Sequence, residues 1–260
     1  MSILRRDGVD LYYEVHGTGP VLLLTHGFSA TTQMWRGQID ALAKAFTLVL
    51  WDMRGHGRSA SPADPDAYSE TATVADMAAL LDELDAPSAI VGGLSLGGYM
   101  SLAFYRALPQ RVRALIVVDT GPGFKNPEAR EGWNRVARQR AEAFEQNGLA
   151  ALEGASSEVS ASQHRSAAGL AHAARGMLTQ RDASVMEVLP EVAVPALVLA
   201  GADDTPFLAA TDYMAHKVPG AQKVIVPAAG HAVNIDQPAL FNAAVLAFLE
   251  TMGSAEGAGN

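Results

Sequence analysis

At 260 residues the chain has room for one large α/β domain, or for a core domain with an inserted subdomain, rather than for two independent domains. Hydrophobic residues make up 49% and charged residues 18%, enough to bury a substantial core, while every apolar run is too short to cross a membrane. A formal charge of -9 argues against a nucleic-acid partner, which calls for a basic face, and zero cysteines exclude disulfides, thiolate metal sites and a cysteine nucleophile.

The first residues, Met1-Ser2-Ile3-Leu4-Arg5-Arg6-Asp7, lack an apolar signal segment, so a cytoplasmic location is expected. Ile3 to Arg6 and Asp10 to Val15 flank an Asp7-Gly8 turn and predict an antiparallel hairpin at the edge of a sheet. Val21 to Thr25 is a continuous apolar run, the pattern of a central parallel strand covered on both faces. A helix over Thr32 to Ala43 follows, then a strand over Phe46 to Trp51 and a loop at Pro62 to Pro65. Thr71 to Leu84 carries Val74, Met77, Leu80, Leu81 and Leu84 at helical spacing, and Ala89 to Val91 is the next short strand. Leu96 to Leu108 is a helix stopped by Pro109, and Val112 to Val118 another buried strand.

Up to this point strand and helix alternate, which predicts a parallel sheet with right-handed crossovers. The alternation breaks at Thr120. From there to Leu189 there is no strand-like run, and helical stretches around Pro127 to Glu145 and His164 to Thr179 predict an inserted helical cap over 120–189. The core is therefore expected over 1–119 and 190–252. It resumes with a strand at Ala196 to Ala200, a helix at Phe207 to Lys217, a strand at Lys223 to Val226 and a last helix at Pro238 to Met252. Residues 253–260 are small and polar and are expected to be a disordered tail.

Ligand sites in such sheets lie at the carboxyl ends of the strands, and the chemically notable residues cluster there. Gly93-Leu94-Ser95-Leu96-Gly97 is a Gly-x-Ser-x-Gly match on a strand-to-helix turn, where the serine hydroxyl would stand above a helix N-terminus. His26-Gly27-Phe28, Gly201-Ala202-Asp203-Asp204 and Gly230-His231 each follow another strand. A serine needs a base to act as nucleophile. Of the seven histidines, only His231 joins a glycine turn after a strand with a position after the acid. His26 and His56 lie in glycine turns, and His16, His164, His172 and His216 fall on an edge strand or on polar helices. Asp203 and Asp204 compete for the acid, with Asp119, at the end of the preceding strand, as a third candidate. Asp236 reads as an N-cap ahead of Pro238.

The sequence resembles the α/β-hydrolase superfamily over nearly its whole length. The likeness is carried by His-Gly-Phe at 26–28, Asp-x-Arg-Gly-His-Gly-x-Ser at 52–59, the turn at 93–97 and Gly-His at 230–231. It implies a mostly parallel eight-stranded sheet flanked by helices, with Ser95 as nucleophile and His231 as base. Relatives commonly place the acid three residues after the strand-ending glycine, which selects Asp204. The backbone N–H groups of Phe28 and Leu96 would form the oxyanion hole. Phe28, Trp133 and Val233 are candidate substrate contacts. Phe124 and Phe144 are further candidate walls, and packing is the alternative for each.

A serine at position 95 argues against dehalogenase or epoxide hydrolase chemistry, which in this fold uses an aspartate nucleophile. Within acyl transfer the chain is similar to small bacterial capped esterases and lactonases of the enol-lactonase type. That resemblance implies hydrolysis of carboxylic esters or lactones, acyl-homoserine lactones among them, with no metal and no cofactor. Carbon–carbon bond hydrolases and cofactor-free perhydrolases share the same three residues, and a ligand-binding protein on this scaffold is the reading from another class. A small-molecule ester or lactone is the expected partner, without nucleic acid or membrane, and the chain is expected to be a monomer or homodimer.

Overall fold

The structure, a computed structural model, describes residues 2–154, 156–160 and 163–257, with side chains described up to residue 252. Strands β1 (Ser2–Arg6) and β2 (Val9–His16) form the expected antiparallel hairpin, turned by Asp7 and Gly8 at φ of 51° and 77°. β2 pairs antiparallel with β4 (Thr47–Trp51). From β4 onward every pairing is parallel, through β3 (Val21–Thr25), β5 (Ala89–Leu94), β6 (Val112–Val118), β7 (Ala196–Gly201) and β8 (Gln222–Val226). The order is β1-β2-β4-β3-β5-β6-β7-β8, which gives the expected eight-stranded, mostly parallel sheet with β5 next to its centre.

Both faces of the sheet are covered, and the side chains divide by the strand's period of two. On β3, Leu22 and Leu24 enter one core and Leu23 the other; on β4, Leu48 and Leu50 part from Val49 in the same way. One core packs against α1 (Arg36–Leu42), α8 (Val233–Asp236) and α9 (Pro238–Gly257), through Leu42, Val233, Phe241 and Phe248. The other packs against α2 (Glu70–Glu83), α3 (Leu96–Ala107) and α7 (Thr205–Lys217), through Met77, Leu80, Phe104 and Met214. Burial of each such side chain contributes about 1.5–3 kcal/mol. Side chains alternating between two cores explain why the central strands read as unbroken apolar runs.

Between β6 and β7 the described chain contains helices and no strand. They are α4 (Pro127–Asn147), α5 (Ala167–Ala173) and the short α6 (Ser184–Glu187). Asn126 starts α4 by accepting the N–H groups of Glu128 and Ala129, with Pro127 at the first helical position. Ala137 and Ala141 of α4 are wholly buried, and their small side chains let α5 lie close. This excursion is tied to α4 by Trp133 Nε1 donating to the Leu178 carbonyl at 2.8 Å, and by Asn134 exchanging two hydrogen bonds with the Gln180 backbone.

The tail differs from expectation. α9 continues five residues past Met252 to Gly257, because Ser254, Ala255 and Glu256 include no proline to stop it. Residues 258–260 of the expected tail lie outside the described residues. Among the described residues no helix is long and apolar enough to cross a membrane.

Two glycines set how near α3 lies to the sheet. A β-carbon on Gly97 would overlap the carbonyl oxygen of Thr25 on β3, and one on Gly93 would meet the backbone of Gly97. Gly97→Ala is therefore expected to cost about 1–3 kcal/mol, seen as a lower urea midpoint. Gly132→Ala, within α4, where a β-carbon would meet only the Arg135 guanidinium at 3.8 Å, is expected to leave the midpoint unchanged or raise it.

Candidate active site

Ser95 stands between the last residue of β5 and the first of α3. Its backbone has φ 54° and ψ -117°, a conformation that L-residues rarely adopt and that costs on the order of 1–3 kcal/mol. The bend holds because it is fixed on both sides. The Ser95 N–H donates to the Val118 carbonyl at 2.9 Å, its carbonyl accepts from Tyr99, and the flanking glycines leave no side chain to obstruct the turn. The hydroxyl makes no capping hydrogen bond to α3. It remains available for chemistry.

The residues expected as acid and base lie on two later loops stitched to each other. Ala202 N–H donates to the Val226 carbonyl and Asp203 N–H to that of Ala229, so the loops after β7 and β8 travel together. Asp203 is occupied as a loop residue by its backbone, while Asp204 Oδ2 accepts from His231 Nδ1 at 2.8 Å. Of the three candidates, Asp204 is the one bonded to His231. Asp119 instead accepts from Gly201 N–H at 2.8 Å and from Val233 N–H at 3.3 Å, clamping both loops from below. Asp236 does not cap the helix that begins at Pro238. Its Oδ2 accepts from Gly230 N–H at 2.8 Å, and so braces the residue before His231. Phe207 stacks on the imidazole at 4.9 Å between ring centres, fixing the ring plane.

The electrostatics follow from this packing. Burial lowers the pKa of His231, but the hydrogen bond and charge of Asp204, with Asp119 and Glu158 further off, outweigh it and leave the pKa raised. The Asp119 carboxyl is pushed up to about 8, chiefly by burial and then by the charge of Asp204, against its two backbone donors. At 2.8 Å the carboxylate paired with His231 is that of Asp204.

The cavity around Ser95 has two lobes. One, about 340 Å³, is lined by Leu96, Tyr99, Trp133, Met186 and Ala210, among others. The second, about 680 Å³, is lined by Phe28, Arg140, Phe144, Glu158, Asp204 and His231, among others. Of the candidate contacts, Phe28, Phe124, Trp133 and Phe144 all reach this cavity. Val233 does not. It is wholly buried in the core on the opposite face of the sheet, because it opens α8, and only its backbone N–H approaches the site, through Asp119.

Several residues here had no signal in the sequence. Arg140 and Glu158 look like ordinary helix and loop charges until the fold brings them to the second lobe. The Arg140 guanidinium lies 6.0 Å from the Phe28 ring centre, and burial lowers its pKa against the opposing charge of Glu158. His164 is not on a polar helix. It lies in the stretch before α5, buried, with Nε2 donating to the Ser29 carbonyl at 2.8 Å and Nδ1 accepting from Gly57 N–H at 3.1 Å. Among the described residues no group of acidic, histidine or cysteine side chains is arranged to hold a metal.

The strand order, the two crossings back to the sheet centre and the loops gathered at its carboxyl edge are those of an α/β-hydrolase. The chain belongs to that family, whose model, described as the alpha/beta hydrolase fold, matches residues 20–170, more than half of the sequence. Within it the resemblance is to hydrolases of the small bacterial, enol-lactonase-like type. A Bacillus subtilis (strain 168) protein provisionally named 2-succinyl-6-hydroxy-2,4-cyclohexadiene-1-carboxylate synthase is 31% identical over 277 aligned positions, covering 97% of this chain and 99% of that one. The 3-oxoadipate enol-lactonase 2 of Acinetobacter baylyi is 28% identical, covering 95% and 96%. Among solved structures, a thermophilic esterase from Thermogutta terrifontis superposes with a TM-score of 0.79 at 30% identity, covering 96% of this chain and 97% of that one.

Proposed function

We propose that the protein hydrolyses carboxylic esters or lactones through an acyl-enzyme on Ser95. The observation that carries this reading is the 2.8 Å bond from His231 Nδ1 to Asp204, in a cavity that Ser95 also lines. With Nδ1 committed to the carboxylate, the imidazole keeps Nε2 for the serine proton.

In the first half-reaction Ser95 Oγ bonds to the substrate carbonyl carbon as its proton passes to His231 Nε2. The oxyanion accepts from the N–H groups of Phe28 and Leu96. Two features support these donors. Leu96 is the first residue of α3, so its N–H has no acceptor within the helix. Gly27 passes so near the serine that a β-carbon on it would lie 3.5 Å from Ser95 Cβ, which brings the next peptide to the site. Each donor is worth about 3 kcal/mol of transition-state stabilisation. The carbon–oxygen bond to the leaving group then breaks, and His231 returns the proton to the departing alkoxide. In the second half-reaction water gives a proton to His231 as its oxygen adds to the acyl carbon; the bond from that carbon to Ser95 Oγ then breaks, His231 returns the proton to Oγ, and the acid leaves. Residues 120–189 serve as a cap that narrows access, with Trp133 and Phe28 both lining the cavity that takes the substrate.

A fluorophosphonate probe tests this directly. The expected result is one adduct by intact mass, mapped to the peptide carrying Ser95, together with many turnovers of p-nitrophenyl butyrate. Labelling without turnover would instead select the ligand-binding reading, and no adduct on Ser95 would overturn the mechanism.

A further inference from the structure

The two lobes that meet at Ser95 differ in charge. No Asp, Glu, Lys, Arg or His lines the smaller lobe among the described residues, whereas the larger holds His231, Asp204, Arg140 and Glu158. Ser95, Trp133, Leu178 and Phe207 line both, so the serine stands at their junction. Phe207, stacked 4.9 Å from the imidazole, lines the uncharged lobe as well as the lobe that holds His231.

We infer that the uncharged lobe takes the acyl group and the charged lobe the alcohol group, and that the substrate is an open-chain ester of an apolar, uncharged acid. The inference rests on the acyl-enzyme proposed at Ser95. When the tetrahedral intermediate collapses, the bond to the leaving oxygen breaks, its electron pair stays on that oxygen, and the proton on His231 moves to it. The leaving oxygen must therefore lie beside the imidazole, in the lobe that His231 lines. The other substituents of the tetrahedral carbon are Ser95 Oγ, the oxyanion held by two N–H groups, and the acyl chain. The chain points away from the leaving oxygen, toward the lobe where Leu96 and Tyr99 stand and His231 does not.

The lining fixes the chemistry of the acyl group. A carboxylate carried into the uncharged lobe would lose water and find no counter-charge. Each methylene placed there is worth about 0.8 kcal/mol, or about fourfold in kcat/KM. A small lactone ring ties its acyl and alkoxy carbons together at the junction and leaves the depth of the lobe empty.

The test measures kcat/KM for p-nitrophenyl esters from acetate to octanoate, and by pH-stat titration for butyrate esters of progressively longer alcohols. The proteins are the wild type, Ala210→Phe, which fills the uncharged lobe from α7, and Met186→Ala, which enlarges it. In the wild type kcat/KM should rise about fourfold per acyl methylene until the lobe is full, and fall about tenfold or more when the acyl chain ends in a carboxylate. Ala210→Phe should move the optimum to shorter acyl chains and Met186→Ala to longer ones, both leaving the alcohol-length profile in place. If Ala210→Phe does not fold, Met186→Ala decides alone. A flat acyl profile, or variants that shift the alcohol profile instead, would overturn the partition while leaving Ser95 chemistry intact. Absence of both a Ser95 phosphonate adduct and ester turnover would overturn the acyl-enzyme reading and this inference with it.

Discussion

Replacing Ser95 with alanine is expected to lower kcat for p-nitrophenyl butyrate by about 10⁴- to 10⁶-fold with little change in KM. The size of the effect follows from what remains. Without Oγ there is no covalent route, and His231 can only assist water from a position arranged for the serine. The backbone donors at Phe28 and Leu96 are untouched, so about 10³- to 10⁴-fold acceleration over the uncatalysed reaction should survive. The substitution should be nearly silent in stability, since alanine keeps the β-carbon and the hydroxyl makes no cap bond. Ser95→Gly separates the two roles of the position. It should abolish turnover equally, yet raise the urea midpoint, because glycine adopts a φ of 54° without the strain that a β-carbon brings. Retention of wild-type turnover in either variant would rule out Ser95 as nucleophile.

Stability should fall steeply between pH 6.5 and 4, and the cause lies beside the active site rather than in it. His26, His56 and His164 form a buried row, with ring centres 5.0 Å apart for the first pair and 5.9 Å for the second. Each is held neutral by its partners. His26 Nδ1 donates to the Gly27 carbonyl while its Nε2 accepts from Met53 N–H, and His56 Nδ1 donates to the Arg54 carbonyl. Burial is the largest influence on all three and lowers each pKa, to about 3 for His26. An unfolded histidine titrates near 6.5, so the unfolded chain takes up protons that the folded chain refuses. The contribution to stability is thus complete above about pH 6.5. As pH falls toward the folded pKa of each histidine it is lost at up to about 1.4 kcal/mol per unit, roughly 5 kcal/mol for His26 by pH 3.

Asp119 titrates in the opposite sense. Its carboxyl, pushed up to about 8, takes a proton in the folded state first, which offsets roughly one histidine over the same range. His231, with its raised pKa, is protonated in both states below 6.5 and adds no slope there. Urea midpoints at pH 7, 6 and 5 should therefore fall progressively, and His164→Gln should make the fall shallower. A pH-independent midpoint across that range would contradict the account. Because His26 and His164 hold the backbone around Phe28 and Ser29, activity is expected to fail with this row rather than with the sheet.

The elements that carry the site were legible along the chain because they are local. Val21 to Thr25 and Val112 to Val118 announce themselves by unbroken apolar composition, since both faces of a central strand are covered. Ser95 was legible because its turn needs glycines where a β-carbon would strike β3, a constraint written within five residues. What escaped depends on distant partners. Asp204 and Asp203 are adjacent, and their residue types alone leave both open; the family resemblance selects Asp204, and it is Asp204 that meets His231 while Asp203 N–H bonds to the Ala229 carbonyl. His164 reads from the sequence as a histidine of a polar helix because its partner, Ser29, is 135 residues away.

The sequence by itself determined the strand–helix alternation, the placing of Ser95, the candidate carboxylates and His231 at strand ends, and the glycine turns beside them, because period and turn chemistry are properties of neighbouring residues. Tertiary structure alone decided which carboxylate meets the imidazole, that Val233 faces the far core, and that Arg140 and Glu158 share one lobe while the other has no charge. Those are outcomes of how separate loops and helices pack across the sheet edge. No local pattern encodes a contact whose two halves lie on different elements.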